Sequence, residues 1–183
     1  INGAAAGYGL DLALGCDIRL LSEGAKLIPG FAKRGIVPES GGTWYLPRLV
    51  GWATACEISF LGDDIPAARA QSLGLVNAVV PDALAEAMRW GAKIAANAPL
   101  AIKAMKRLFR HGLSEDFESH SHHVLMQLMQ LFRSEDFRVL KQAIDARETV
   151  LFRGSWIGDY NDAYSFLQVL KGGFGINLPC YRN

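Results

Sequence analysis

Up to Pro81 the chain alternates short apolar strands with helix-forming stretches, and beyond it every clear apolar pattern repeats at helical spacing. Strands interleaved with helices, then helices alone, imply an α/β core with a C-terminal helical region in the same chain. Residues 10–14 read as a helix entered from a glycine-rich turn. Asp17-Ile18-Arg19-Leu20-Leu21 reads as a strand stopping at Ser22-Glu23-Gly24, and Lys26-Leu27-Ile28 as the next strand. Residues 29–42 hold two prolines and four glycines and predict a loop with one short helical turn. A helix interrupted at Pro47 is expected next, then a helix over 52–61 closed by Gly62, one over 66–72, and a strand over 75–80 ended by Pro81. Further helices are expected over 83–96, 99–112, 114–132 and 134–151. The expected organisation is a core over 1–80, a helical region over 81–154 and an atypical, aperiodic tail over 155–183.

Length and composition exclude several function classes. A chain of 183 residues with 50% hydrophobic and 20% charged residues can bury a core of its own. The net charge of +1 supplies no field for a phosphodiester backbone, so nucleic acid is not an expected partner. Cys16, Cys56 and Cys180 are odd in number and widely spaced, which predicts neither a disulfide framework nor a zinc knuckle. Cys16 is expected to be buried as a small hydrophobe. The apolar runs are too short for a membrane span, and a cytoplasmic or organelle-matrix protein is expected. Ile1-Asn2-Gly3 reads like the end of a strand running into a turn, so the chain is expected to be truncated at its N-terminus.

The candidate chemistry begins in Asn2-Gly3-Ala4-Ala5-Ala6-Gly7-Tyr8-Gly9. Glycines at a loop-to-helix junction let backbone N–H groups, reinforced by the helix dipole, face a developing negative charge, although the same pattern also serves plain turns. Asp11 lies in the first turn beyond, where it is either a surface acid favouring the dipole or a carboxylate beside the anion site. Glu39, in Pro38-Glu39-Ser40-Gly41-Gly42-Thr43, is either a helix-capping acid or a second carboxylate. Two carboxylates at one oxyanion site suit proton transfer next to a carbonyl. His120, His122 and His123 read as a solvated helix face rather than a metal site, and no metal is expected. Lys103, Lys106, Arg107 and Arg110 form a basic stripe facing solvent or CoA phosphates, and Met126 and Met129 belong to an apolar stripe for the core or a subunit contact.

These motifs, with Cys16-Asp17-Ile18-Arg19, Leu46-Pro47-Arg48, Gly74-Leu75-Val76-Asn77 and Glu135-Asp136-Phe137-Arg138, resemble the crotonase superfamily, the enoyl-CoA hydratases and isomerases, from Ile1 to about Gly154. The resemblance implies an α/β fold with a partial spiral core of ββα repeats and a C-terminal helical trimerisation region. It also implies an acyl-CoA substrate without a separate cofactor, and a homotrimer or a dimer of trimers. Tyr8 would supply one backbone N–H of the oxyanion hole, the other belonging to an Ala-Gly-x-Asp-type segment outside this sequence. Asp11 and Glu39 would be the acid/base residues, and Gly7, Gly9, Phe31 and Gly41 would contact substrate. Hydratases of this family place one glutamate at the position of Asp11 and another at that of Phe31. The second acid is therefore absent here, while Glu39 matches the acid of isomerase-type members. A second reading is a catalytically incomplete member or fragment serving as an oligomerisation subunit, and residues 1–183 alone are expected not to turn over.

Overall fold

A computed structural model describes residues 1–145, so the end of the last expected helix, the tail and Cys180 lie outside the described residues. The chain divides into two compact units, Ile1–Ala96 and a second that begins at Asn97. The first unit continues past Pro81 because the helix that follows packs against two of its strands.

The first unit opens with β1 (Ala5–Ala6), which turns at Gly7 into α1 (Tyr8–Leu14), followed by β2 (Leu20–Ser22) and β3 (Lys26–Ile28). A 3-10 turn at Ala32–Arg34 precedes α2 (Gly42–Val50) and α3 (Trp52–Leu61). Then come β4 (Ile65–Pro66), α4 (Ala67–Ser72), β5 (Ala78–Val80) and α5 (Ala83–Ala95). Two small sheets result. In one, β3 pairs parallel with β1 (Ala5 opposite Leu27) and antiparallel with β4 (Leu27 opposite Ile65). In the other, β2 and β5 run parallel with Leu21 opposite Val79. Pro66 is tolerated because β4 is an edge strand. Leu10 and Leu14, one turn apart on α1, join Leu21, Leu27, Ile65 and Leu75 in the core.

The expected strand from Asp17 begins only at Leu20, because Arg19 turns inward instead of alternating towards solvent. It is 8% exposed, and its guanidinium donates to the carbonyls of Leu75 (2.6 Å) and Cys16 (2.5 Å). Its backbone N–H donates to Asn77 Oδ1 (2.8 Å), and its carbonyl accepts from the Asn77 N–H (2.8 Å). The polar groups of Arg19 thus join the entry to β2 to the stretch before β5, which is why the strand expected from Leu75 starts only at Ala78. Burial holds the Arg19 guanidinium below its ordinary pKa.

Helix α2 passes through Pro47 without the expected interruption. A proline forfeits one helical hydrogen bond, but buried Leu46 and the partly buried Leu49 and Val50 pack the helix onto the core on either side of it. Helix α3 ends as expected at Gly62, which caps it in the left-handed conformation (φ 62°). Cys16 is exposed rather than buried. It follows Gly15, the C-cap of α1, and so lies outside the helical face that buries Leu10, Asp11 and Leu14.

Helix α5 starts at Asp82, whose carboxylate accepts from the N–H groups of Leu84 (2.9 Å) and Ala85 (3.0 Å). The second unit contains α6 (Pro99–His111), α7 (Phe117–Leu131) and α8 (Glu135–Asp145). Proline fits the first position of α6, and the Asp116 carboxylate caps α7 through the Ser119 N–H (2.9 Å).

If the Arg19–Asn77 pairing holds β2 beside β5, Asn77→Ala leaves a backbone N–H without its acceptor and lowers stability by about 1–3 kcal/mol. Asn77→Asp keeps the acceptor and stays much closer to the parent. Urea unfolding midpoints at unchanged slope measure both.

Candidate active site

The turn between β1 and α1 satisfies some of its polar groups and leaves others open. The Gly7 N–H donates to the Ile28 carbonyl (3.0 Å), tying the turn to the end of β3. The Gly7 carbonyl accepts from Leu10 (2.9 Å) and Asp11 (3.1 Å), starting the helix. Gly7 sits at φ 49°, a conformation that costs glycine little. Among the described residues no acceptor is found for the N–H groups of Tyr8 and Gly9, the first two residues of α1. The Tyr8 side chain is exposed, so the backbone N–H is the group this position can offer inward.

Asp11 is not a surface acid. It is 1% exposed, on the same face of α1 as Leu10 and Leu14. Its Oδ2 accepts from the Ser40 N–H at 3.0 Å, joining the first turn of α1 to the Pro38-Glu39-Ser40 loop. Gly41 adopts φ 99° at the N-cap of α2, and a Cβ there would meet the Tyr45 ring at 3.0 Å. A Cβ on Gly42 would overlap Asp11 Oδ1 and stand 2.8 Å from Pro38 Cβ. The two glycines therefore let the loop close over the carboxylate.

Glu39 does not cap α2, because the N-cap is Gly41 and it has no side-chain cap. The Glu39 side chain is exposed, and no hydrogen bond or ion pair to it is found among the described residues. The structure thus brings Asp11 to the Glu39 loop through the Ser40 backbone. Ser40 stands inside the quoted motif, yet its N–H carries no side-chain signal, so its role was not readable from sequence.

Phe31 is buried (6% exposed) at the N-cap of the 3-10 turn, where its carbonyl accepts from Arg34 (2.9 Å) and Ile36 (3.2 Å). Phe31 lines two cavities. One, about 240 Å³, is lined by Gly7, Gly30, Phe31, Arg34 and Ile36, and the other, about 390 Å³, extends from Phe31 along α2 and α3. Arg34, which no sequence motif singles out, lines the first cavity while donating to the Gly30 carbonyl (3.0 Å).

The remaining candidates lie in the second unit. His122 and His123 are exposed, as a solvated face requires, and His120 is half-buried, but His120 and His123 also make specific contacts. With His111 they surround Glu115, their Nδ1 atoms 3.0–3.2 Å from its oxygens. Hydrogen bonds from His123, then His120, hold the Glu115 carboxyl below its ordinary pKa. Among the described residues, no group of three or more His, Cys, Asp or Glu side chains is placed to hold a metal ion. Lys103, Lys106, Arg107 and Arg110 are exposed, and Arg107 donates to Gln127 (2.8 Å). Met126 and Met129 are exposed as well. No helix among the described residues is long and apolar enough to cross a membrane.

Comparison with known proteins agrees with this arrangement of motifs. The enoyl-CoA hydratase/isomerase family profile matches residues 1–150. A probable enoyl-CoA hydratase of Rhodobacter capsulatus is 36% identical over 157 residues, 84% of this chain and 61% of the relative. An enoyl-CoA hydratase from Bacillus anthracis has the same fold (TM-score 0.75, 32% identity), over 84% of this chain and 60% of that one. A Thermobifida fusca protein assigned as an enoyl-CoA hydratase, solved in complex with acetoacetyl-CoA, matches with TM-score 0.68 and 33% identity, over 71% of this chain and 52% of that one. The chain belongs to the enoyl-CoA hydratase/isomerase family, within the crotonase superfamily, and its mixed α/β fold matches crotonase-like structures. It spans about three fifths of the length of the Rhodobacter relative.

The closure over Asp11 predicts opposite outcomes at two neighbouring glycines. Gly42→Ala, which drives a methyl group into the carboxylate, is expected to cost about 1–3 kcal/mol. Gly9→Ala, with nothing within 4 Å of the added atom, is expected to be neutral or to stabilise by up to about 1 kcal/mol through helix propensity. Thermal unfolding of the two variants tests the contrast.

Proposed function

We propose that this chain carries the acyl-CoA site of an enzyme that hydrates or isomerises an enoyl-CoA thioester. The observation that carries the reading is the buried Asp11. It lies within one turn of the open N–H groups of Tyr8 and Gly9 and is hydrogen-bonded into the Glu39 loop. In this reading the Tyr8 N–H donates to the thioester oxygen as negative charge develops on it. Gly7, Gly9, Phe31 and Gly41 shape the site around the acyl group. The chemistry moves protons only and needs neither a metal nor a redox cofactor.

Phe31 favours isomerisation over hydration, since an apolar ring cannot activate or protonate water. For a 3-enoyl thioester a carboxylate takes the proton from C2, the electron pair delocalises onto the thioester oxygen, and a proton returns at C4 to leave the 2-enoyl product. Asp11 and Glu39 are the groups proposed to exchange that proton. The exposed apolar residues Leu125, Met126 and Met129 of α7 are assigned to subunit contacts in a homotrimer or a dimer of trimers. A second reading, a catalytically incomplete subunit, is favoured by the 1% exposure of Asp11 and the apolar Phe31, which leave few proton-active groups facing an incoming substrate.

Assays of the whole protein with crotonyl-CoA and a 3-enoyl-CoA decide between the readings. Asp11→Asn is expected to lower kcat/KM by about 10²–10⁴-fold, and Glu39→Gln to lower isomerisation more than hydration. Activity indifferent to both substitutions contradicts the acid/base assignment, and no activity with either substrate supports the incomplete subunit.

A further inference from the structure

The larger cavity continues the candidate site as a groove that the proton chemistry does not use. One wall is a stripe of α3, Trp52, Ala55, Cys56, Ser59 and Phe60, at the spacing of a single helical face. Ala55 of that face is buried in the core, while its two large rings stay open to solvent, Trp52 at 78% and Phe60 at 74% exposure. Among the described residues no charged side chain lines the groove, which makes it a poor home for the phosphates of CoA and a good one for hydrocarbon.

Its position says which hydrocarbon. Phe31 and Ile36 line both this groove and the smaller cavity that Gly7 borders. Gly42, also in its lining, lies so close to the Asp11 carboxylate that a Cβ there would overlap it, and the same Cβ would meet Pro38, another lining residue. An acyl group with its thioester at the Gly7-Tyr8 turn and its reacting carbons beside Asp11 would therefore continue past Phe31 towards Trp52 and Phe60.

Resting on the acyl-CoA reading, we propose that this groove holds the distal end of a long hydrocarbon acyl chain, and that Trp52 and Phe60 are specificity-determining residues favouring long chains over short ones. Calorimetric titration of the whole protein with CoA, butyryl-CoA, octanoyl-CoA and dodecanoyl-CoA tests this without turnover. Each methylene fully buried tightens binding by about fourfold, so a gain of at least ~10-fold is expected from butyryl-CoA to octanoyl-CoA. Trp52→Gln with Phe60→Gln, both at exposed positions, is expected to flatten that gradient while leaving butyryl-CoA affinity unchanged. Equal affinity at all chain lengths, or a gradient the double variant leaves intact, overturns the groove assignment and spares the acyl-CoA reading. Failure of every acyl-CoA to bind overturns both. A change in sedimenting mass of the double variant without ligand shows the groove to be a subunit contact, which also overturns the assignment.

Discussion

The hydrogen bond from the Ser40 N–H to the Asp11 carboxylate is the contact on which the local architecture turns. A carboxylate that is 1% exposed needs compensation for lost water. The compensation fixes the distance between the first turn of α1 and the loop entering α2. Glycine at 42 is a consequence of that distance, because a Cβ there would overlap the carboxylate itself, whereas glycine at 41 suits the left-handed N-cap of α2. Glu39 is then carried on a loop whose neighbouring residue is already committed to Asp11.

Two further constraints hold the frame in which this happens. The Gly7 N–H bonds to Ile28, so the open end of α1 is registered against β3 and, through the next three residues, against Phe31. Arg19 and Asn77 link the start of the second sheet through backbone and side chain together. In both places a polar group that the sequence would leave in water is used internally. The apolar core of Leu10, Leu14, Leu27 and Ile65 then packs against elements that are already placed. Along α3 the groove is walled by an apolar stripe that is buried at Ala55 and open to solvent at Trp52 and Phe60.

Much of the fold was readable in the amino-acid order. Helix α3 with its glycine cap, strand β3, and the succession of helices beyond Pro81 were expected from periodicity and caps. The family motifs pointed to the relationship that the comparisons bear out. The two-residue strands β1 and β4 were not readable, because two residues are too short to show alternation, Ala and Pro disfavour strands, and both pair with β3. Pro47 within α2 and Arg19 at the head of β2 misled for one reason: local preference was overruled by packing at Leu46 and by long-range hydrogen bonds to Asn77 and Leu75. At the candidate site, side-chain identities were visible but the Ser40 backbone link was not. The grouping of His111 with His120 and His123 around Glu115 depends on the turn between α6 and α7, which no spacing rule within one helix reveals.

The proposed function places an acyl thioester between the Tyr8 N–H and the Asp11 carboxylate. A crystal structure of the whole protein with a non-reacting acyl-CoA analogue measures this directly. The thioester oxygen is expected at about 2.7–3.1 Å from the Tyr8 nitrogen, with the α-carbon beside Asp11 and the chain passing Phe31. A thioester bound elsewhere, or Asp11 still sealed under Gly42 with no acyl carbon next to it, rules out Asp11 as the acid/base group and the Tyr8 N–H as its oxyanion donor.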